Sequence, residues 1–551
     1  MDSQKEQLKE WKKLKRHTPE KKALAREALQ EIQEGESVFE AIRHHPIQSP
    51  GGGYIGKQML VAVYREMVEN GEMEEDPALL ARIRMKPTRS QSGVTVVTVL
   101  TKPYPCPGKC IFCPTDVRMP KSYLPDEPGA MRALQHQFDP YDQVISRLEA
   151  LEAVGHPTDK IELLILGGTW DSYRKDYQEW FIHRLYDAMN GPDTSHAPAE
   201  YKERMSDDLL DLPAAQTYNQ SAEHRNVGLV IETRPDHVNP EELAWLRYLG
   251  VTKVQMGAQS FDDHILAINK RGHDAASTRR AAALLRAGGF KIVLHWMPNL
   301  LGATPQSDRE DFTEMWQGYC PDEIKIYPNQ LLENAELYEY WQRGEYTPYT
   351  TDELTELLVE IKPSVPRYCR VNRVIRDIPS TNVVAGNKRT SLRMDVHKVM
   401  KERGTQCECV RCREVRGREV SEDTLVLQDL TYQADGTQEH FLSFVTPKDR
   451  LAGFLRLSLP GSDSPETGLD DLTGAALIRE VHVYGQAVEV GDSKDGAAQH
   501  IGLGTRLLTR AKEVAKAAGY ERLAVISAVG TREYYAGRGF KMGKFYMVMD
   551  L

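Results

Sequence analysis

Three cysteines, Cys106, Cys110 and Cys113, stand in the stretch CPGKCIFC with the spacing C-x3-C-x2-C. A disulfide uses two thiols and a closed zinc site four ligands. Three thiolates suit a different role, because they can hold three irons of a [4Fe–4S] cluster and leave the fourth open to a substrate. A second trio, Cys407, Cys409 and Cys412 in CECVRC, has the tighter spacing of a metal knuckle. It reads as structural zinc with a fourth ligand from elsewhere, Cys369 before Cys320 or His397; a second iron–sulfur cluster is the alternative. A third chemical segment is QHIGLGT, with Gln499, Gly502, Gly504 and Thr505. It opens the helical run GTRLLTRAKEVAKAAG, so backbone N–H groups at a helix N-terminus can face a pyrophosphate. REVHVYG, with Glu480 and His482, precedes this segment, and REYYAGRGF, with Tyr534 and Tyr535, follows it. GGGYIGKQ, residues 51–58, mimics a phosphate loop, but Gln58 stands where a hydroxyl should bind magnesium, so it reads as a flexible Gly-rich loop.

The elements that must position these groups alternate. From about residue 90, apolar runs (GVTVVTVL, KIELLILGG, NVGLVIETRP, TKVQMGAQS, KIVLHWMP, EIKIYPN) are separated by helical segments such as PEELAWLRYLG and STRRAAALLRAGG. Six such strands predict parallel βαβ units with functional residues at the C-terminal strand ends. The first cysteine trio follows the first strand. Gly167, Gly168 and Thr169 end the second, Glu232 and Arg234 the third, and Gln259 and Ser260 the fourth. Phe112 lies between two of the cysteines. After residue 420 the chain turns β-rich and reads as a separate α+β domain, while residues 1–80 read as helical.

The cysteine spacing after a first strand, with GGT, ETRPD and GAQS at later strand ends, resembles the radical S-adenosylmethionine superfamily. That likeness implies a [4Fe–4S] cluster on Cys106, Cys110 and Cys113. It also implies cofactor contacts from Gly167, Gly168, Thr169, Glu232, Arg234, Gln259 and Ser260. The order from QHIGLGT through LAVISAV to REYYAGRGF resembles the GNAT acetyltransferases, which implies an acetyl-coenzyme A site, a tyrosine, Tyr534 or Tyr535, that helps the thiolate leave, and Glu480 or His482 as a general base on the strand lining the acetyl group. Both together, with KPTRSQSGVTVVTVLTKPYPCPGKCIFCP, PKSYLPDEPGAMRA, YCRVNRVIRDIPS and AVISAVGTREYYAGRGF, resemble the catalytic-subunit family of Elongator in its bacterial or archaeal stand-alone form. The resemblance runs from residue 84 to the C-terminus. The fold it implies is α/β: a helical N-terminal extension (1–80), a radical SAM partial (βα) barrel (81–395), a zinc-binding linker (396–420) and a GNAT domain (421–551). The function it implies is synthesis of 5-carboxymethyluridine at the wobble uridine 34 of tRNA, from acetyl-coenzyme A and a 5′-deoxyadenosyl radical. A lysine acetyltransferase with a structural cluster is the competing reading.

Composition fits a chain that handles RNA without being basic overall. The 551 residues carry a formal net charge of −10, yet residues 1–30 hold nine Lys/Arg against five Asp/Glu. Candidate phosphate contacts are Lys12, Lys13, Lys15 and Arg16, then Arg84, Lys86 and Arg89, and Arg370, Arg373 and Arg376 on a β-like run. The expected partners are a tRNA anticodon stem-loop and an electron donor such as ferredoxin or flavodoxin, with the chain a monomer or homodimer. No apolar run of membrane-spanning length and no secretory leader is read, so the expectation is a cytoplasmic protein.

Overall fold

The computed structural model describes residues 18–48, 52–90, 92–192, 194, 196–202, 210–416, 420–484 and 502–551. The chain divides into two compact units, residues 1–90 with 146–158, and residues 91–145 with 159–551. No helix among the described residues is long and apolar enough to cross a membrane.

In the first unit, helices Pro19–Gln33, Val38–His44, Lys57–Glu69 and Pro77–Ile83 surround a core that includes Ala28, Leu29, Ile32, Leu60, Val61 and Ile83. Their starts are written in the sequence. Thr18, Ser37 and Asp76 accept hydrogen bonds from first-turn N–H groups, and Pro19 and Pro77 follow two of these caps. Tyr54, in the Gly-rich loop, bridges back to Pro46, and the next helix starts at Lys57. No strand precedes that loop among the described residues of this unit, in keeping with the missing hydroxyl at Gln58.

The second unit contains two seven-stranded sheets. The first is wholly parallel: β1 (Thr95–Leu100), β2 (Lys160–Leu166), β3 (Arg225–Thr233), β4 (Lys253–Gln259), β5 (Lys291–Trp296), β6 (Glu323–Ile326) and β7 (Arg370–Arg373). They lie side by side in chain order, so each crossover advances the sheet by one strand. β1 and β7 do not pair among the described residues, which leaves an open half-barrel. Six strands follow from the apolar runs. The seventh, RVNR, is four residues long with one apolar side chain, so its period carries no strand signal of its own. It is recruited by pairing with β6, Glu323 opposite Arg370 and Ile324 opposite Val371.

The second sheet comprises β8 (Val426–Ala434), β9 (Thr437–Val445), β10 (Leu451–Pro460), β11 (Ala475–Val483), β12 (Arg522–Val525), β13 (Lys541–Met542) and β14 (Met547–Asp550). Its order is β13-β14-β12-β11-β10-β9-β8, antiparallel except for β11 and β12. The two-residue turn Asp435-Gly436, with Gly436 at φ 75°, closes the β8–β9 hairpin. β11 and β12 pair only over Ala475–Ile478 and Arg522–Val525, so the last five residues of β11 run on beyond this ladder. The helix Leu503–Ala517 lies between the two strands in the chain.

A buried ion network joins the two sheets. Asp322 accepts from both terminal nitrogens of Arg479 at 2.6 and 2.8 Å and faces Arg456 at 3.4 Å. Glu439 takes Arg479 at 2.6 Å, and Arg456 Nε donates to Glu480 at 2.8 Å. Lys291, the first residue of β5, pairs with Glu480 on β11 and faces Glu323 at 3.7 Å. The two arginines outweigh burial and hold the Asp322 carboxyl well below the carboxylate range. Removing one partner of such a pair strands a buried charge, at a cost of about 3–5 kcal/mol. The tail reinforces the join: Tyr546 donates to the Gly288 carbonyl at 2.6 Å, and Arg247 to the Phe545 carbonyl at 2.8 Å.

Candidate active site

The strand-end segments of the half-barrel come together as their positions predict. The cysteine loop leaves β1, and Cys106 Sγ lies 3.8 Å from the hydroxyl of Thr169 beyond β2. Gly167 has φ 136°, and a Cβ there would collide with the Thr101 side chain, so only glycine lets this turn close against β1. A Cβ at Gly108 would lie 2.8 Å from Arg234 Nη1, 3.5 Å from Cys106 Sγ and 3.6 Å from Cys110 Sγ. The bare glycine therefore leaves room for a guanidinium beside two sulfurs. Arg234 is held by Asp236 through Nε and Nη2, both at 2.9 Å, while its buried Nη1 has no hydrogen-bond partner among the described residues. The Cys113 thiol and the Arg271 guanidinium hold the Cys110 thiol down at about 5, the charge state a metal ligand needs. Cys113, hydrogen-bonded to Cys110, is pushed up in turn.

The other predicted positions differ in what they offer. Gln259, at φ 73°, keeps a buried carbonyl oxygen without a partner among the described residues. Ser260 is committed: its hydroxyl donates to Asp311 at 3.0 Å and accepts from the Asp262 N–H at 3.1 Å, which shapes the loop after β4. Glu232 accepts from Tyr123 at 3.4 Å and faces His295 at 3.7 Å; desolvation pushes its carboxyl up against the pull of Lys325 and Arg376. Phe112 packs with Ile265, Leu300, Leu331 and Tyr346 in an apolar cluster. Buried donors and acceptors without partners are uncommon in folded proteins. Here Arg234 Nη1, Gln259 Oε1, Arg271 Nε and both ring nitrogens of His273 have no hydrogen-bond partner among the described residues, with His273 Nδ1 facing Asp236 at 3.9 Å. The set fits a cluster with a polar, charged ligand beside it.

In the C-terminal sheet the two tyrosines separate. Tyr535 is buried against Phe540. Tyr534 is half-buried, and its hydroxyl occupies the space that a Cβ at Gly504 would need. Arg538 stacks on the Tyr534 ring at 3.6 Å and donates to Thr505 at 3.3 Å, so Tyr534, Gly504 and Thr505 form one constellation. Gly502 takes φ 65° at the start of the helix, and Gln499 lies outside the described residues. Glu480 departs from the expected base: Lys291 and Arg456 outweigh its burial and hold the carboxyl below its ordinary range as their counter-ion. His482 is different. Burial lowers it to about 4, it packs against the rings of Phe454 and Tyr484, and Nε2 has no partner among the described residues.

A model of the radical SAM superfamily matches residues 104–315, and one of the radical SAM C-terminal domain matches 321–402. The chain is 41% identical over 472 residues to the "tRNA uridine(34) acetyltransferase" of Dehalococcoides mccartyi (strain CBDB1), covering 85% of this chain and 99% of that one. It is 35% identical over 495 residues to "Elongator complex protein 3" of Homo sapiens, covering 86% and 87%. A solved structure of the archaeal Methanocaldococcus infernus Elp3 with an N-terminal deletion superposes with a TM-score of 0.70 at 37% identity, over 84% of this chain and all of that one. The chain belongs to the Elongator complex protein 3 family of radical SAM proteins. Membership implies a [4Fe–4S] cluster and S-adenosylmethionine, and the three cysteines of the first trio are in place for them.

The other predicted residues of this family member sort by commitment. Cys407, Cys409 and Cys412 bring their sulfurs within 4.8 Å of one another, and Cys369 is not in that group. Cys369 instead supports the knuckle through its backbone carbonyl, which accepts from the Val410 N–H at 2.9 Å. His397 keeps a buried Nε2 without a partner among the described residues and feels the Cys409 charge. Cys320 donates to backbone carbonyls of Trp316 and Gln433. Among the arginines, Arg370 is bound to Glu414, and Arg376 to Glu127 at 3.0 Å and Ser122 at 2.8 Å; both are internal struts rather than phosphate contacts. Arg84 donates to the Gly155 carbonyl at 2.5 Å. Lys86 and Arg89 are exposed, and Arg373 is exposed beside Asp377. Lys12, Lys13, Lys15 and Arg16 lie outside the described residues. Sequence reasoning missed Arg271 and His273, in KRGH after the helix Asp263–Ile268. They follow no strand end and no motif, so only the folded chain brings them to the cysteines.

Proposed function

We propose that this protein converts the wobble uridine 34 of tRNA to 5-carboxymethyluridine, with acetyl-coenzyme A as the carbon donor. The observation that carries the reading is the convergence of the cysteine loop, Thr169, Arg234 and Gln259 in a half-barrel joined by buried ion pairs to a second sheet holding Gly504, Thr505 and Tyr534. The names of the relatives supply the substrate. In net terms the acetyl methyl carbon bonds to carbon 5 of uracil. One methyl hydrogen leaves to the adenosyl group, the carbon-5 hydrogen leaves as a proton with its electron returned, and water cleaves the thioester.

The cluster and S-adenosylmethionine, when bound, supply the hydrogen abstraction. The chain does the rest. Arg234 Nη1, without a partner among the described residues, can take a carboxylate, Gln259 and Glu232 can orient amine and ribose groups, and the packing around Phe112 keeps that side of the site dry. The second sheet is a GNAT domain: the parallel β11–β12 pair that stops at Ile478 and the glycine-led helix after it suit a pantetheine arm and a pyrophosphate. Tyr534 is placed to protonate the departing thiolate, and neutral His482 to activate water. Zinc on Cys407, Cys409 and Cys412 supports the linker. Lys86, Arg89 and Arg373 take RNA phosphates, a low-potential donor such as ferredoxin or flavodoxin reduces the cluster, and the setting is the cytoplasm. Anaerobic incubation with S-adenosylmethionine, a reductant, acetyl-coenzyme A and tRNA should yield 5-carboxymethyluridine by nucleoside mass spectrometry. Acetylated lysine with unmodified tRNA would point to a protein acetyltransferase instead.

A further inference from the structure

Two guanidiniums reach the cysteine loop, and their charges are balanced differently. Arg234 spends two nitrogens on the Asp236 carboxylate. Arg271 has no carboxylate partner among the described residues. It is 7% exposed, donates through Nη2 to the Gly257 carbonyl at 2.5 Å, and places Nη1 3.5 Å from Cys110 Sγ. Gly257 is required for this seat, since a Cβ there would lie 2.8 Å from Arg271 Nη2. A buried cation without a counter-charge is costly. Among the described residues, the group that Nη1 reaches is the Cys110 sulfur, which carries a thiolate charge when it ligates a cluster.

We propose that Arg271 raises the reduction potential of the iron–sulfur cluster through a charge-assisted N–H···S bond to Cys110. The inference rests on the cluster assigned above to Cys106, Cys110 and Cys113. Taking one electron from a low-potential donor makes the cluster and its thiolates more negative by one charge, with no proton moved. A fixed cation at a ligand sulfur stabilises the reduced form more than the oxidised one. The Gly257 carbonyl fixes the guanidinium in place, so it acts before any cofactor arrives. Arg271 is thus a positioning and tuning residue, not one that touches the uridine.

The test is an EPR-monitored redox titration of the reconstituted full-length protein with dithionite, without S-adenosylmethionine, alongside iron content. Arg271→Gln should load iron as the parent does. At a fixed potential it should hold roughly tenfold less reduced cluster, a shift of about 59 mV downward for one electron. Arg271→Lys, which keeps the charge and loses the fork, should fall between; if Arg271→Gln fails to bind iron, this variant decides alone. An unchanged midpoint in the loaded variant overturns the proposal. So does a shift seen only when S-adenosylmethionine is present, because Arg271 would then act on the cofactor. A parent protein that takes up no iron would instead sink the cluster assignment itself.

Discussion

The two cysteine trios are built from the same residue and face opposite ways chemically. Around Cys106, Cys110 and Cys113 the fold keeps buried polar atoms without partners among the described residues, an uncapped guanidinium edge and bare glycines at 108 and 167. Around Cys407, Cys409 and Cys412 the three sulfurs close on one another where Cys409 caps the short helix Val410–Arg413, and nearby Arg393 is occupied by the Val371 carbonyl at 2.9 Å. Unpartnered polar groups beside bare glycines mark a site that receives something; sulfurs gathered on one another mark a staple, even with His397 Nε2 unpartnered nearby among the described residues. The same contrast separates Tyr534 from Tyr535, and Lys86 and Arg89 from Arg370 and Arg376.

The largest effect should come from breaking the open trio. Cys110→Ala should abolish formation of 5-carboxymethyluridine, by a factor of roughly 10³ or more, because no cluster forms. Its thermal unfolding midpoint in the metal-free state should stay within a few degrees of the parent's. Cys409→Ser should do the reverse, releasing zinc and lowering stability by several kcal/mol while the folded fraction still modifies tRNA. Metal analysis with urea unfolding checks this, and an inactive but fully stable Cys409→Ser protein would erase the contrast. Arg479→Met, which takes from buried Asp322 and Glu439 their closest cation and leaves them Arg456 at 3.4 Å and Arg286 at 3.5 Å, should cost about 3–5 kcal/mol in the same urea experiment.

The tyrosine pair sharpens the comparison at an intermediate level. Tyr534→Phe should slow acetyl-coenzyme A hydrolysis roughly 10²-fold, and Tyr535→Phe should leave the rate within about twofold. The pH dependence follows from His482. A base works deprotonated, and burial holds His482 at about 4, so the acid limb of hydrolysis should fall near that value; a limb near 6.5 would mean that an exposed histidine acts instead. The smallest effect concerns the surface. Lys86→Glu with Arg89→Glu should weaken tRNA binding and flatten its dependence on log salt by about 0.7–0.9 per lost phosphate contact.

The strand-end positions were legible because each segment sits where an apolar run stops: GGT just after β2, ETRPD across the end of β3, GAQS across the end of β4. Commitment was not. Nothing in YCRVNRVIRD tells that Arg370 meets Glu414 and Arg376 meets Glu127, since those partners lie 44 and 249 residues away. Glu480 looked like a base for the same reason, as its counter-ion Lys291 is supplied by the other sheet. β7 escaped because neighbours rather than its own pattern make it a strand. Cys369 seemed a ligand by residue type, whereas the chain brings its carbonyl rather than its sulfur to the knuckle.

The central claim is that the open trio and the C-terminal sheet act on one acetyl group. It is tested most directly with acetyl-coenzyme A deuterated at the methyl carbon, in an anaerobic single-turnover reaction with tRNA. The account predicts 5-carboxymethyluridine that keeps two deuterons and 5′-deoxyadenosine that gains one. Unlabelled 5′-deoxyadenosine beside labelled product would contradict it.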